Sequence, residues 1–327
     1  MSVRPVDGSR ARAADDPEVV VADLDVAVVV SWIAVSGVVA VSVVLSLLGV
    51  DWSRAATILV VGGLLVGIPH GAVDHLAPRW RHSRRTVPVV ALVAGYVVLG
   101  LVAWSLLRAW PVVGLAVLLA MSVVHFGLGE ATFHGLRRGS GQASRGAGLG
   151  IAAVVIFLPL LTHAPEAAPY LHAMAPSWDG RLGTAWETGL ALLVLGIALL
   201  TALTALLQGR RLVAGEMLLL VVLSLAAPPA IAVATYFGWW HAVRHTAVLL
   251  SEERALTGRY AMRSLAQRAA APTAVAALTL AGLWWWSGGN ALSFVSEQIW
   301  FLAALTVPHA LVVAWLDRTR EPTQLAH

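Results

Sequence analysis

AVVVSWIAVSGVVAVSVVLSLLGV, residues 27–50, runs for 24 positions without a charged side chain. At about 1.5 Å of rise per residue, a helix of that length covers the ~30 Å hydrocarbon core of a bilayer. A lipid-embedded backbone must satisfy its own hydrogen bonds, so the stretch is predicted to be a transmembrane helix. Working outward from it, further apolar runs lie at 55–77, 87–107, 110–134, 146–163, 184–208, 213–228, 229–252, 272–287 and 295–316. The runs at 213–228 and 272–287 are short, and the first ends at Pro228-Pro229, so hydropathy alone gives eight to ten spans. The predicted fold is all-α: a polytopic transmembrane helical bundle of about ten spans.

Composition agrees. Of 327 residues, 58% are hydrophobic and 12% charged, with a mean hydropathy of +0.78. Soluble domains carry about 25% charged residues, so disorder, a nucleic-acid module and an ordinary soluble enzyme are excluded. The chain has no cysteine, which excludes disulfides, zinc–thiolate sites, iron–sulfur clusters and thiol catalysis. It also has no lysine. All 22 basic residues are arginine, so the chain forms no Schiff base with retinal or with pyridoxal phosphate.

Arginine placement arbitrates the span count. With ten spans, eighteen arginines fall on the side of the N-terminus and only Arg54, Arg108 and Arg181 on the other, while Arg244 lies inside a span. That positive-inside bias predicts ten spans, both termini cytoplasmic, in a multi-pass protein of the cell (plasma) membrane. The expected organisation is a cytoplasmic tail at 1–26, one transmembrane helical catalytic domain at 27–317 and a second cytoplasmic tail at 318–327. The loop at 164–183 is expected to cap the outer surface.

Intramembrane histidine is costly when it faces lipid, so it marks a site. Six of the 11 histidines fall inside predicted spans: His70 and His75 in PHGAVDH (69–75), His125 in HFGLGE (125–130), His241 and His245 in WWHAVRH (239–245), and His309 in PHALVVAW (308–315). Their four spans all run toward the cytoplasm. Counted from the span starts, His70, His125, His241, His245 and His309 lie 12 to 16 residues in, a slab only about 6 Å thick. His241 and His245 are at i and i+4, on one helical face. Five imidazoles at one depth point to a metal site, and imidazole suits zinc, copper, iron and nickel. With a single H-x-x-x-H pair and lone histidines, the pattern reads as mononuclear. The remaining histidines, His134 among them, read as surface or interfacial.

Around these residues lie supporting candidates. Asp74 and Glu130 follow His70 and His125 by four and five residues, where each would fix a ligand tautomer or pair with an arginine. Arg244 is expected to pair with a carboxylate, and Glu187, Glu216 and Glu297, near span starts, to be interfacial. Phe126, Tyr236, Trp239 and Trp240 adjoin the histidines and would line a pocket for a flat, conjugated, apolar ligand. Gly67, Gly71, Gly127 and Gly129 leave room for close helix approach or for substrate.

PHGAVDH, HFGLGE, WWHAVRH and the late Pro308-His309, in that order and each in an apolar span, resemble the Brp/Blh family over about residues 55–316. These are bacterial and archaeal membrane β-carotene 15,15′-dioxygenases that supply retinal to rhodopsins. The resemblance implies iron-dependent cleavage of the central double bond of β-carotene by O2, giving two molecules of all-trans-retinal. It implies Fe(2+) held by His70, His125, His241 and His245; His309 belongs to the shared signatures but is not assigned as a ligand, and stays a candidate for supporting a ligand or lining the substrate pocket. It also implies β-carotene and O2 as substrates, membrane lipids as surroundings, a microbial rhodopsin as a retinal acceptor, and no nucleic acid. The rival readings are a b-type haem protein, which needs only two axial histidines, and a transporter with a His/carboxylate relay.

Overall fold

The computed structural model describes residues 17–49, 53–72, 89–139, 144–257, 262–288 and 291–319. Among them every regular element is helical. In chain order these are α1 (Pro17–Leu47), α2 (Ser53–Ala72), α3 (Val89–Ala109), α4 (Pro111–Arg137), α5 (Arg145–Thr162), α6 (Ala164–Met174), α7 (Thr184–Leu207) and α8 (Arg211–Ala226). Then α9 (Pro229–Thr235), a π-helical segment (Tyr236–Ala242) and α10 (Val243–Thr257) follow one another without a break, before α11 (Met262–Trp286) and α12 (Ala291–Thr319). The protein is an all-α membrane bundle. Five stretches, Asp23–Leu47, Pro111–Arg137, Arg145–Thr162, Thr184–Leu207 and Ala269–Trp286, are long and apolar enough to cross a bilayer. Ile58–Gly67, Val93–Ala109 and Ile299–Trp315 are shorter apolar helical stretches.

Within the described residues, each predicted apolar run lies on one of these helices or on the continuous α9–α10 rod; positions 73–77 of the second run lie outside the described residues. The soft boundary at Pro228-Pro229 is a true break. Pro228 is extended (φ −51°, ψ 149°), and Pro229 opens α9 at a position where its missing N–H costs nothing. α1 starts about three turns earlier than the apolar run, because the charges it takes in are matched. Asp25 accepts from Arg137 at 2.6 Å and Asp23 from Arg254 at 2.8 Å. These pairs tie the start of α1 to the ends of α4 and α10. At the opposite ends of the helices, Arg108 at the end of α3 meets Glu297 at the start of α12 at 2.5 Å, and Arg181 meets Glu187 at 2.6 Å.

α5 is the central post. Ile151, Ala152, Val154 and Leu158 are fully buried and pack with Val194 and Ala198 of α7 and Met217 and Leu220 of α8. The close approach of α5 to α4 is possible because Gly148 of α5 sits against Gly127 of α4. A Cβ on Gly148 would run into the Gly127 carbonyl. α6 packs across two helices: Met174 and Ala175 meet Leu115 and Leu118 of α4 and Trp300 and Ala303 of α12. His172 Nδ1 lies 2.7 Å from the Trp178 carbonyl, and Trp178 Nε1 donates to the Arg181 carbonyl at 2.9 Å, closing the turn that follows.

Candidate metal centre

α2 and the π segment touch backbone to backbone. A Cβ on Gly238 would collide with the Gly63 carbonyl, and a Cβ on Gly63 with the Ala234 carbonyl. Next along α2, Phe237 fills the space where Gly67 has no side chain. One turn beyond Gly67 is His70. Its Nδ1 hydrogen-bonds the Gly67 carbonyl. A carbonyl only accepts, so Nδ1 carries the proton and Nε2 keeps its lone pair. The same ring meets Phe237 edge-on at 5.3 Å.

The π segment supplies His241. Single π turns inside α-helices occur often at functional sites, and their extra residue re-aims the side chains that follow. Here the rings of His241 and His245 stack at 6.0 Å with 21° between planes, one helical turn apart. α4 brings His125, and α12 brings His309 immediately after a buried Pro308.

The five rings converge. His70 lies 5.3 Å from His241, 5.5 Å from His245 and 5.1 Å from His309, centroid to centroid. His125 lies 5.0 Å from His241 and 4.8 Å from His309, and His245 lies 5.5 Å from His309. His70, His125, His241 and His309 are buried and His245 is half-buried. His309 is thus inside the cluster. Ring nitrogens of His70, His241 and His309 all lie within 4.8 Å of one another, a spacing that fits donors to one ion. His241 Nε2 is buried with no hydrogen-bond partner among the described residues. An unmade bond at a buried polar atom costs about 1–3 kcal/mol, and a Lewis acid removes that cost. A set of neutral imidazole donors fits a borderline divalent ion such as Fe(II), Zn(II) or Cu(II).

Aromatic rings wall the cluster. Phe126 lies 4.6 Å from His241 and 5.3 Å from Tyr236, and Tyr236 stacks on His241 at 6.4 Å. Gly129 faces the His241 ring and Gly71 faces His309, with no side chain of their own to fill the site. Trp239 is half-buried. Trp240 is fully buried and turns away from the histidines, over the Arg244 guanidinium at 3.7 Å. Asp74 and His75 lie outside the described residues.

Beside the cluster sits a buried charged network. Arg244 donates to Glu130 Oε2 at 3.0 Å and to Glu216 Oε1 at 2.7 Å, and its guanidinium also meets Ser31 Oγ at 3.2 Å. Glu130 Oε1 accepts from Trp240 Nε1 at 2.9 Å and from Tyr236 Oη at 3.3 Å. Glu130 therefore pairs with Arg244, Trp240 and Tyr236, not with His125. His134 Nε2 lies 2.9 Å from Glu216 Oε2 and 3.8 Å from Glu130 Oε2. Two expectations fail here. Glu216 is not interfacial but fully buried, and His134 is not superficial but buried between the two carboxylates. The available signal was Arg244 itself: a guanidinium inside a span needs negative partners, and Glu216 lay within reach on the preceding span.

Comparison with known proteins agrees with this geometry. Residues 61–317 match the family model described as beta-carotene 15,15′-dioxygenase. The chain is 31% identical to the probable beta-carotene 15,15′-dioxygenase Blh of Halobacterium salinarum, over 90% of this chain and 93% of that protein. It is 22% identical to a beta-carotene 15,15′-dioxygenase from an uncultured marine bacterium, 66A03, over 84% of this chain and 96% of that protein. No solved structure matches. The family match begins inside α2, before His70, and ends after His309, so it takes in every histidine of the cluster, and the chain belongs to the beta-carotene 15,15′-dioxygenase family.

Proposed function

We propose that the protein cleaves the central 15,15′ double bond of β-carotene with O2, giving two molecules of all-trans-retinal, at one Fe(II) held in the histidine cluster. The observation that carries this reading is the convergence of five imidazoles from α2, α4, the π–α10 rod and α12 in an apolar interior. His70, His241 and His309 are the nearest donors to one another, and His125 and His245 complete the set. This brings His309, which the motif resemblance left unassigned, into the ligand sphere. A bound ferrous ion would supply the activation of O2.

The chain's own residues do the rest. The Gly67 carbonyl holds His70 in the tautomer that presents Nε2. Phe126 and Phe237, with the ring of Tyr236, form aromatic walls suited to a conjugated polyene and exclude water from it. Gly71 and Gly129 keep the approach to the rings open. A carotenoid is about as long as the hydrocarbon core is thick, ~30 Å, so a site at mid-depth selects the middle of the molecule. Cleavage puts one oxygen atom of O2 on each new aldehyde and needs no net proton transfer, which matches a donor set of imidazoles alone among the described residues. Substrate and product are lipids and exchange laterally with the bilayer. On this reading both termini would face the cytoplasm and the protein would sit in the plasma membrane, where a microbial rhodopsin would take up the retinal.

The test is expression in β-carotene-producing cells. Orange colour should fade as retinal appears, and a His241→Ala chain made to the same level should leave the colour. Persistent β-carotene with the unaltered, membrane-inserted chain would reject the reading.

A further inference from the structure

Tyr236, Trp240 and Arg244 follow one another at intervals of four residues along the π–α10 rod, and all three donate to one carboxylate. Glu130 Oε1 accepts from the Tyr236 hydroxyl at 3.3 Å and from Trp240 Nε1 at 2.9 Å, and Glu130 Oε2 accepts from Arg244 at 3.0 Å. None of the four residues is more than 2% exposed, so water does not compete for these bonds. Glu216 has its own partners, Arg244 at 2.7 Å and His134 at 2.9 Å. Glu130 is the carboxylate that reaches three successive turns of the rod.

The two histidines of the rod stand next to these contacts. His241 follows Trp240 and His245 follows Arg244. The rotation that carries residues 240 and 244 to Glu130 therefore also fixes where the two imidazoles point. The Tyr236 ring stacks on His241 at 6.4 Å as well. Tyr236–Ala242 is wound as a π-helix, a form that occurs mostly as single turns inside α-helices. An α-helix advances about 100° per residue, so losing the extra residue of the π turn would swing His245 by about that angle relative to α9. The three bonds to Glu130 begin at the first π residue, continue inside the segment and end beyond it, and so oppose such rewinding. α4 carries both Glu130 and His125. The same bonds thus set how the rod faces the His125 ring, 5.0 Å from His241.

We infer that Glu130 is a register clamp for the metal centre: by holding Tyr236, Trp240 and Arg244 it fixes the winding and rotation of the rod, and so the aim of His241 and His245. It is a positioning residue that acts through the rod, not a ligand. The inference rests on the metal-site reading above.

The test uses the full-length protein in lipid nanodiscs, with two readouts. Amide hydrogen exchange over residues 236–245 of the metal-free protein reads the clamp itself. The visible absorption of bound Co(II), with its dissociation constant, reads the aim of the ligands. Tyr236→Phe and Trp240→Phe each remove one bond to Glu130 and leave every carboxylate, histidine and charge in place. Each should speed exchange across the segment by about tenfold, the size expected for one hydrogen bond to a charged acceptor. Each should also shift the Co(II) band and weaken binding by about tenfold. Glu130→Asp keeps the charge but shortens the reach by one methylene, and should do the same or more. Met174→Ala opens a cavity in a different core cluster. It should lower the unfolding temperature and leave both exchange at 236–245 and the Co(II) band unchanged. His134→Gln keeps a donor for Glu216 but no imidazole, and should also leave the band unchanged.

A folded Tyr236→Phe or Trp240→Phe protein with unchanged exchange and an unchanged Co(II) band overturns the inference, even where Glu130→Asp loses the ion, because Glu130 would then act on the ion directly. So does a band lost in His134→Gln, which would put the ion between Glu130, His134 and Glu216. So does a Met174→Ala protein that reproduces both effects. If the unaltered chain takes up no Co(II), the metal-site reading itself falls, while hydrogen exchange still decides whether Glu130 clamps the rod.

Discussion

Gly238 of the π segment packs directly on the backbone of Gly63 in α2, with no room for a Cβ on either side of the contact. This contact sets the distance between two ligand-bearing elements, because His241 lies one turn beyond Gly238 and His70 two turns beyond Gly63. Gly238→Ala should push the helices apart. Overpacking of this kind costs about 1–3 kcal/mol. The larger effect is expected on the metal, since His70 would withdraw from His241. Iron content and thermal unfolding of purified Gly238→Ala decide this: unchanged iron with lowered stability would mean that the crossing is a packing feature alone.

Arginine-to-lysine changes should separate two kinds of ion pair. Arg137 and Asp25 form a half-exposed pair, and Arg137→Lys should cost less than about 1 kcal/mol. Arg244 uses its fork on two carboxylates and stacks on Trp240 and Phe133. An ammonium reproduces neither the fork nor the stacking. Removing one partner of a buried pair costs about 3–5 kcal/mol, and Arg244→Lys should approach that range. Chemical or thermal unfolding in one detergent compares the two, and equal tolerance would contradict a specific role for Arg244.

Charged pairs sort to two ends of the bundle. Asp23, Asp25, Arg137 and Arg254 meet at one end of the bundle, whereas Arg108–Glu297 and Arg181–Glu187 lie at helix ends of the other polarity. Reporter fusions after residues 85, 145 and 211 should read cytoplasmic, and one within 164–183 external. An external signal after residue 145 would invert α5 and refute the ten-span arrangement.

The parts of this architecture set by long-range composition were legible in the sequence. Apolar run length locates the helices, and arginine bias together with distance from the span starts puts His70, His125, His241 and His309 at one depth. What stayed hidden depends on local backbone geometry or on tertiary pairing. The π segment has no hydropathic signature, because one added residue per turn does not change the apolar content of YFGWWHA. Glu216 lies five residues into α8, whose first residue Arg211 is exposed, and distance from a helix start does not report which face of the helix packs inward. His134 looked superficial for the same reason, being three residues from Arg137. His309 was visible at the right depth, yet depth does not say which way a ring points. The contact with His70 at 5.1 Å does.

The ligand set is the sharpest expectation. His70, His241 and His309 hold the tightest donor spacing, so alanine at any of the three should abolish both bound iron and retinal formation while the chain still inserts. His125 meets two cluster rings and His245, half-buried, meets three. His125→Ala and His245→Ala should bind iron at least about tenfold more weakly, in the range typical when a site loses one contributor, and lose most activity. Metal analysis of the five purified variants distinguishes the arrangements. Full iron in His309→Ala with iron lost from His125→Ala would return His309 to the substrate wall and leave four ligands from three elements. Iron retained in all five would mean that the cluster is a packed imidazole core, and the oxygen chemistry would have to be sought elsewhere in the bundle.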